Sequence, residues 1–271
     1  MTGDRPRGIT EEMRNPENNF RFASLDGDAD RLVYFYFDKA GHFKLLDGDR
    51  IAVLIAAYLG KLMQKAGLSD TVKLGVVQTA YANGSSTRYL KKMGVNVAMA
   101  MTGVKHLHHM ACELFDVGIY FEANGHGTVI FNEHAKTAIE NGACMKLKIL
   151  MSLINQCVGD ALSDLLLVEA VLADENLSMA EWDEQYHELP NQQAKLKVAD
   201  RSIYITTAAD TKLLEPAWLQ PKIDELVDAT KQGRAFVRPS GTEDVVRIYA
   251  EAESTSEMKL LVASITSLLL L

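Results

Sequence analysis

Cysteine is scarce in this 271-residue sequence: its three copies, Cys112, Cys144 and Cys157, are too few and too widely spaced for a disulfide framework. They read as reduced thiols, which points to a cytoplasmic protein, and no CxxC pair offers a redox or metal motif. Runs of lysine and arginine are absent too, and 28 basic against 36 acidic residues leave a net charge of −8. That excludes a nonspecific nucleic-acid or anionic-membrane binder while leaving room for a local basic pocket for a small phosphorylated ligand. Met1 to Phe20 is polar and charged, so it is no secretory leader. Leu260 to Leu271, the most apolar stretch, falls short of the ~20 residues a membrane span needs and is interrupted by Ser and Thr; it reads as a packed terminal helix. Internal repeats and low-complexity tracts are lacking as well.

What the chain does have is a 48% hydrophobic share, ordinary for a globular protein, and enough length for about two domains. Thr2 to Arg21 mixes Pro, Gly, Asn and both charge signs without periodicity, which predicts loop or disorder. A strand ending at Ala23–Leu25 and a hairpin over Leu32–Phe37 and His42–Leu46 follow abruptly. From Ile51 onward the pattern alternates: helices over Ile51–Met63, Ser85–Met93 and Lys105–Phe115, strands over Lys73–Gln78, Val95–Met101 and Val117–Phe121. Two longer helices are predicted over Ile139–Val158 and Ala161–Ala173. Beyond Leu189-Pro190-Asn191 come strands at Leu196–Val198, Tyr204–Thr206, Ala235–Arg238 and Val245–Ala252, with helices over Trp218–Thr230 and from Ser256. The expected fold class is α/β: a mixed-sheet α/β/α domain (47–188), a smaller C-terminal α+β domain (189–271), and before them a disordered start and partial α/β domain (1–46).

Three loops carry chemistry. In Asp26-Gly27-Asp28-Ala29-Asp30-Arg31, carboxylates at i, i+2 and i+4 can converge on a hard divalent cation. A calcium EF-hand is excluded, since its sixth and twelfth positions would be Arg31 and Phe37. So few protein ligands favour Mg2+, which completes its octahedron with water or phosphate oxygen. The second loop, Glu122-Ala123-Asn124-Gly125-His126, offers a carboxylate, an amide and an imidazole suited to the hydroxyls and acyl amide of a sugar; a polar hairpin tip would have the same composition. The third, Arg238-Pro239-Ser240-Gly241-Thr242-Glu243-Asp244-Val245-Val246-Arg247, has the make-up of a phosphate cradle, two arginines around a Ser-Gly-Thr turn. It lacks the Gly-Lys-Ser/Thr of a Walker loop. His106, His108 and His109 are too close along one helix to share a zinc ion. Lys105, at a strand-to-helix junction, fits a cleft or a solvated surface equally. Taken together, the loops describe an enzyme handling a sugar phosphate with Mg2+.

These loops resemble the α-D-phosphohexomutase superfamily, whose D-G-D-A-D-R, E-x-(S/N)-G-H and R-P-S-G-T-E motifs all stand here in order. Asn124, the stretch Gln78-Thr79-Ala80-Tyr81-Ala82-Asn83-Gly84-Ser85-Ser86-Thr87, and Thr102-Gly103-Val104-Lys105-His106-Leu107-His108-His109 are similar to its eukaryotic N-acetylhexosamine branch. The resemblance implies an intramolecular phosphotransferase interconverting N-acetylglucosamine 6-phosphate and 1-phosphate through a phosphoserine and a bisphosphorylated sugar, a step toward amino-sugar nucleotides. It implies Mg2+ on Asp26, Asp28 and Asp30, sugar contacts from Glu122 and Asn124 with His126 in support, and a phosphate grip by Arg238, Ser240, Gly241, Thr242 and Arg247. Lys105 and Arg31 would stand near the reacting groups. The family's phosphoserine lies in a T-A-S-H-N-P loop of the first of four domains, and these residues contain no such segment. The chain is therefore expected to begin inside the second domain, to need a missing N-terminal domain as partner, and to be inactive alone. The competing reading is a noncatalytic sugar-phosphate-binding or interaction protein that kept its pockets.

Overall fold

The computed structural model describes residues 8–18, 20–157, 159–207 and 209–270. Two of its first pieces stand where loop or disorder is predicted. Thr10 accepts from the Met13 amide to cap a single-turn helix, α1 (Glu11–Arg14), with Glu11 and Glu12 at its positive end, and a 3-10 turn at Pro16–Asn18 follows. One turn has no hydrophobic period to read, so composition hides it. Residues 2–7 and Asn19 of the same predicted loop lie outside the described residues.

An antiparallel sheet comes next: β1 (Phe22–Leu25), β2 (Leu32–Phe37) and β3 (Phe43–Leu46), in that order. All six residues of β2 are buried. Leu32, Tyr34 and Tyr36 enter the same core as the helices that follow, with Tyr34 edge-on to Trp182 at 5.4 Å. The opening hairpin thus shares a core with its neighbour, because burying six consecutive apolar side chains needs a partner on each face.

Asp47 accepts from the amides of Asp49 and Arg50 to start α2 (Gly48–Lys65). A four-stranded mixed sheet follows in the order β5-β4-β6-β7, built from β4 (Leu74–Thr79), β5 (Asn96–Ala100), β6 (Val117–Phe121) and β7 (Gly127–Phe131). β4 runs parallel to β5 and β6, and β7 returns antiparallel. Its helices are α3 (Gly84–Lys92) and α4 (Val104–Leu114). Strand alternation sorts the two faces. Val76, Ile119 and Val129 pack with α2 in the main core, whereas Val77, Tyr120 and Ile130 pack with Leu107 and Ala111 of α4.

The single helix predicted over Ile139–Val158 is two. α5 (Glu133–Asn141) ends at Gly142, whose extended backbone departs from the helix, and α6 (Met145–Leu153) begins after Cys144; Val158 lies outside the described residues. α7 (Ala161–Asp174) follows, then α8 (Met179–Asp183), a short helix fixed by a Ser178–Glu181 capping box.

The C-terminal unit comprises β8 (Asn191–Lys197), β9 (Ile205–Thr206), β10 (Leu213–Glu215), α9 (Leu219–Asp228), β11 (Arg234–Pro239), β12 (Val245–Glu251) and α10 (Thr255–Leu268). β11-β12-β8 form an antiparallel sheet. Val237, Val246, Ile248 and Ala250 on one face pack against α9 and α10. The other face turns Phe236 and Tyr249 onto Ala80 and Tyr81 of the preceding unit. α10 buries Met258, Leu261, Val262 and Ile265, as expected of a packed terminal helix. No helix among the described residues is long and apolar enough to cross a membrane.

Candidate active site

The metal loop is the turn between β1 and β2. Asp26 organises it: one carboxylate oxygen accepts the amides of Asp30 and Arg31, both at 3.1 Å. Ala29 takes a left-handed conformation (φ 54°), a strain that a non-glycine residue tolerates only where the surroundings enforce it. Its carbonyl is held by the Ala161 amide at 2.9 Å. Folded so, Asp26, Asp28 and Asp30 each present an oxygen within 4.8 Å of the others. One Asp30 oxygen is buried without a hydrogen-bond partner among the described residues, and the Arg31 Nε stands 3.6 Å from both Asp26 and Asp30. Desolvation, reinforced by Asp26 and Asp28, pushes the Asp30 carboxyl up against the pull of His126. At Asp26 desolvation is outweighed by the two amides, which hold its carboxyl below the usual range. Three oxygen donors, one of them unsatisfied, fit a hard divalent cation.

The sugar loop caps this turn directly. It is the β6–β7 hairpin, and its backbone is threaded between two elements. The Leu32 amide donates to the Gly125 carbonyl at 3.1 Å, and the Gly48 amide to the Ala123 carbonyl at 3.3 Å. Gly125 has φ +89°, and a Cβ there would lie 2.0 Å from the Leu32 carbonyl oxygen, so glycine is required by both conformation and space. His126 Nδ1 lies 3.5 Å from Asp30, its ring against Gly159, and a backbone bridge pairs His126 with Arg31. Asn124 Oδ1 accepts the His126 amide at 2.9 Å, and Glu122 accepts the Gly103 amide at 3.0 Å. Metal loop and sugar loop are therefore one structure.

The Gly103 contact brings in the junction before α4. The neighbouring Thr102 amide donates to Asp210 of the C-terminal unit at 3.4 Å, and the Thr102 hydroxyl is buried without a partner among the described residues. Lys105 is exposed in the first turn of α4. His108 bonds the Tyr120 hydroxyl at 2.8 Å, and His109 is a surface residue beside Glu113.

The phosphate loop joins β11 to β12. Arg238 and Arg247 face each other across the ladder, a like-charge pairing that costs stability unless an anion lies between the guanidiniums. Neither has an ion-pair partner among the described residues. Ser240 is buried, its amide donates to the Val245 carbonyl at 2.9 Å, and its hydroxyl receives the Thr242 amide at 3.4 Å. A Cβ on Gly241 would meet nothing within 4 Å, so the space above the turn is open. This loop's hydrogen bond to the other unit is from Arg238 Nε to the Tyr81 hydroxyl, at 3.0 Å. Sequence reasoning did not assign Tyr81, Thr102 or Asp210, although the first two fall in stretches whose resemblance it noted.

Residues 47–177 match the family description "Phosphoacetylglucosamine mutase AMG1, domain III", and residues 194–268 match "Phosphoglucomutase/phosphomannomutase, C-terminal domain". The phosphoacetylglucosamine mutase of Sus scrofa is 53% identical over 92% of this chain and 46% of its own length. That of Saccharomyces cerevisiae is 51% identical over 88% of this chain and 45% of its own length. The crystal structure of Aspergillus fumigatus N-acetylphosphoglucosamine mutase with GlcNAc-6P and magnesium superposes with a TM-score of 0.90 at 49% identity, covering 93% of this chain and 52% of that one. An N-acetylglucosamine-phosphate mutase of the α-D-phosphohexomutase superfamily, in its substrate complex, gives a TM-score of 0.88 at 47% identity, covering 93% of this chain and 49% of that one. The fold and the three loops define a sugar-phosphate mutase architecture. The chain shares the fold of the α-D-phosphohexomutase superfamily structure and is similar in sequence to the phosphoacetylglucosamine mutases, and it spans about half the length of the curated relatives it matches.

Proposed function

We propose that this chain supplies the metal, sugar and distal-phosphate grips of a phosphoacetylglucosamine mutase, interconverting N-acetylglucosamine 6-phosphate and N-acetylglucosamine 1-phosphate. The observation that carries this reading is the pair of unneutralised guanidiniums, Arg238 and Arg247, on a chain whose Asp and Glu-Asn-His loops are built into one structure. Asp26, Asp28 and Asp30 would hold Mg2+, which when bound supplies positive charge to a phosphoryl group. Glu122, held by Gly103, and Asn124 offer acceptors and a donor to the sugar's hydroxyls and acetamido group. His126 and Arg31 keep the sugar loop against the metal loop. Arg238, Ser240, Gly241, Thr242 and Arg247 grip the phosphate that is not transferring, and that grip aligns the other end of the sugar for reaction. Lys105 would approach the reacting groups from α4.

In the family pattern a phosphoserine gives its phosphoryl group to the sugar's free oxygen, and after the bisphosphate turns round the other phosphate returns to the serine. These 271 residues hold no T-A-S-H-N-P segment, so the 271-residue polypeptide alone is expected to bind the sugar phosphate without turning it over. A cytoplasmic setting, and partners limited to sugar phosphates and the complementary domain, belong to the same proposal. The test mixes the chain with the portion of the S. cerevisiae relative that it does not cover, Mg2+ and N-acetylglucosamine 6-phosphate. Product is expected in the mixture and in neither part alone. Turnover by the purified chain alone, or none in a mixture that forms a stable complex, contradicts the proposal.

A further inference from the structure

The Gln78–Thr87 stretch lies against the C-terminal unit, and its contacts are ordered. The sheet face that meets it carries three cross-strand pairs in a row: Arg234 with Glu251, Phe236 with Tyr249, and Arg238 with Arg247. In the first pair Arg234 binds Glu251, only 1% exposed, at 2.9 Å, and also donates to the Ala80 and Ala82 carbonyls at 2.8 and 2.5 Å. The Gly84 amide donates to the same Glu251 carboxylate at 3.0 Å. In the second pair the rings stack at 5.2 Å, and Tyr81 packs edge-on to both, at 5.1 and 5.9 Å. These two pairs fix the Tyr81 ring with no help from its hydroxyl. That hydroxyl then accepts the Nε–H of Arg238 at 3.0 Å, with the guanidinium carbon 5.2 Å from the ring centre.

We infer that Tyr81 is a positioning residue that sets the orientation of the Arg238 guanidinium for an anionic ligand, an inference that rests on the phosphate-loop reading above. A guanidinium offers five N–H donors in one plane. Satisfying Nε–H with a phenol fixes that plane and leaves the terminal N–H groups for a phosphate dianion. The acceptor's neutrality matters: a carboxylate in its place would cancel the charge and compete with the ligand. The Gln78–Thr87 stretch thereby couples the docking of the C-terminal unit to the geometry of its phosphate loop.

The experiment compares the 271-residue chain with its Tyr81→Phe variant, which keeps the ring and removes the hydroxyl. The probes are inorganic phosphate and N-acetylglucosamine 6-phosphate, titrated calorimetrically, and the 15N NMR signals of the arginine Nε–H groups. Arg234, whose Nε donates to Glu251 at 3.0 Å, is the internal control for docking. The variant is expected to lose the Arg238 Nε–H signal to solvent exchange, to keep that of Arg234, and to bind phosphate about tenfold more weakly. Unchanged phosphate affinity overturns the inference whatever the Arg238 signal does. Loss of the Arg234 signal also overturns it, because the hydroxyl would then be holding the interface. A weaker variant in a chain that binds the sugar phosphate no better than phosphate leaves Tyr81 its role and removes the sugar from the proposed function. A wild-type chain that takes up neither probe ends both.

Discussion

Asp164, in the first turn of α7, is fully enclosed. Among the described residues neither of its oxygens has a hydrogen-bond partner of good geometry. Burial, with the charge of Asp160 adding and the Thr128 hydroxyl opposing, pushes its carboxyl up to about 8. The folded state therefore holds a proton that the unfolded chain releases from its ordinary value of 3.8 upward, so stability falls as pH rises between 3.8 and about 8. Asp164→Asn removes that dependence. It is expected to be more stable than the wild type by on the order of 2 kcal/mol at pH 7, with the gap closing toward pH 4. Denaturant melts at the two pH values check it, and a pH-independent difference would contradict it. Thr128 follows the sugar loop's Gly127, and Gly159 before α7 packs on His126, so this carboxyl lies beneath the site. No pattern in the sequence marks it, since a lone Asp in a helix's first turn reads as a dipole partner.

Among the elements, α3 shows how one cap can serve two structures. Asn83 Oδ1 accepts from the Ser85 amide at the helix start and from the Leu189 amide in the linker, while its Nδ2 donates back to the Leu189 carbonyl at 3.0 Å. Asn83→Ala removes the cap and leaves the Leu189 amide without its partner, while the Leu189 carbonyl keeps the Asn191 Nδ2 bond at 3.2 Å, at a cost of about 2 kcal/mol. Chemical denaturation gives the loss, and hydrogen exchange should quicken at Leu189 more than at α3; equal quickening throughout would argue against the linker tie. Contiguous chemistry is what the sequence made legible. Each of the three loops keeps its working side chains within a few residues, and strand–helix alternation was readable over most of the longer elements, although β7 and the first turns of α5 were not read and β8 was read only at its end. α1, α8 and β10 were too short to show one, and Gly142's break within a continuous apolar pattern has no local signature beyond the glycine itself. The joining of the metal and sugar loops was not legible either. It depends on Leu32 meeting Gly125 and on the strained Ala29, which are tertiary facts.

Across the whole molecule, the core of the α/β unit places two of the loops, and the docking of a second core places the third. The Asp and sugar loops are bound to each other and to α2 and β2. The phosphate loop depends on the face that sets Arg234, Phe236 and Arg238 against the Ala80–Gly84 segment. A molecule carrying a net charge of −8 keeps its two facing arginines without acidic partners among the described residues, which supports the proposed phosphate grip even though overall charge repels anions. On the proposed function these separately built loops serve one ligand. Amide NMR of the Mg2+-loaded chain, titrated with N-acetylglucosamine 6-phosphate, tests it most directly. Gly125 of the sugar loop and Gly241 of the phosphate loop are expected to shift together with a single midpoint. Shifts at one loop alone, or at both with two different midpoints, would contradict it.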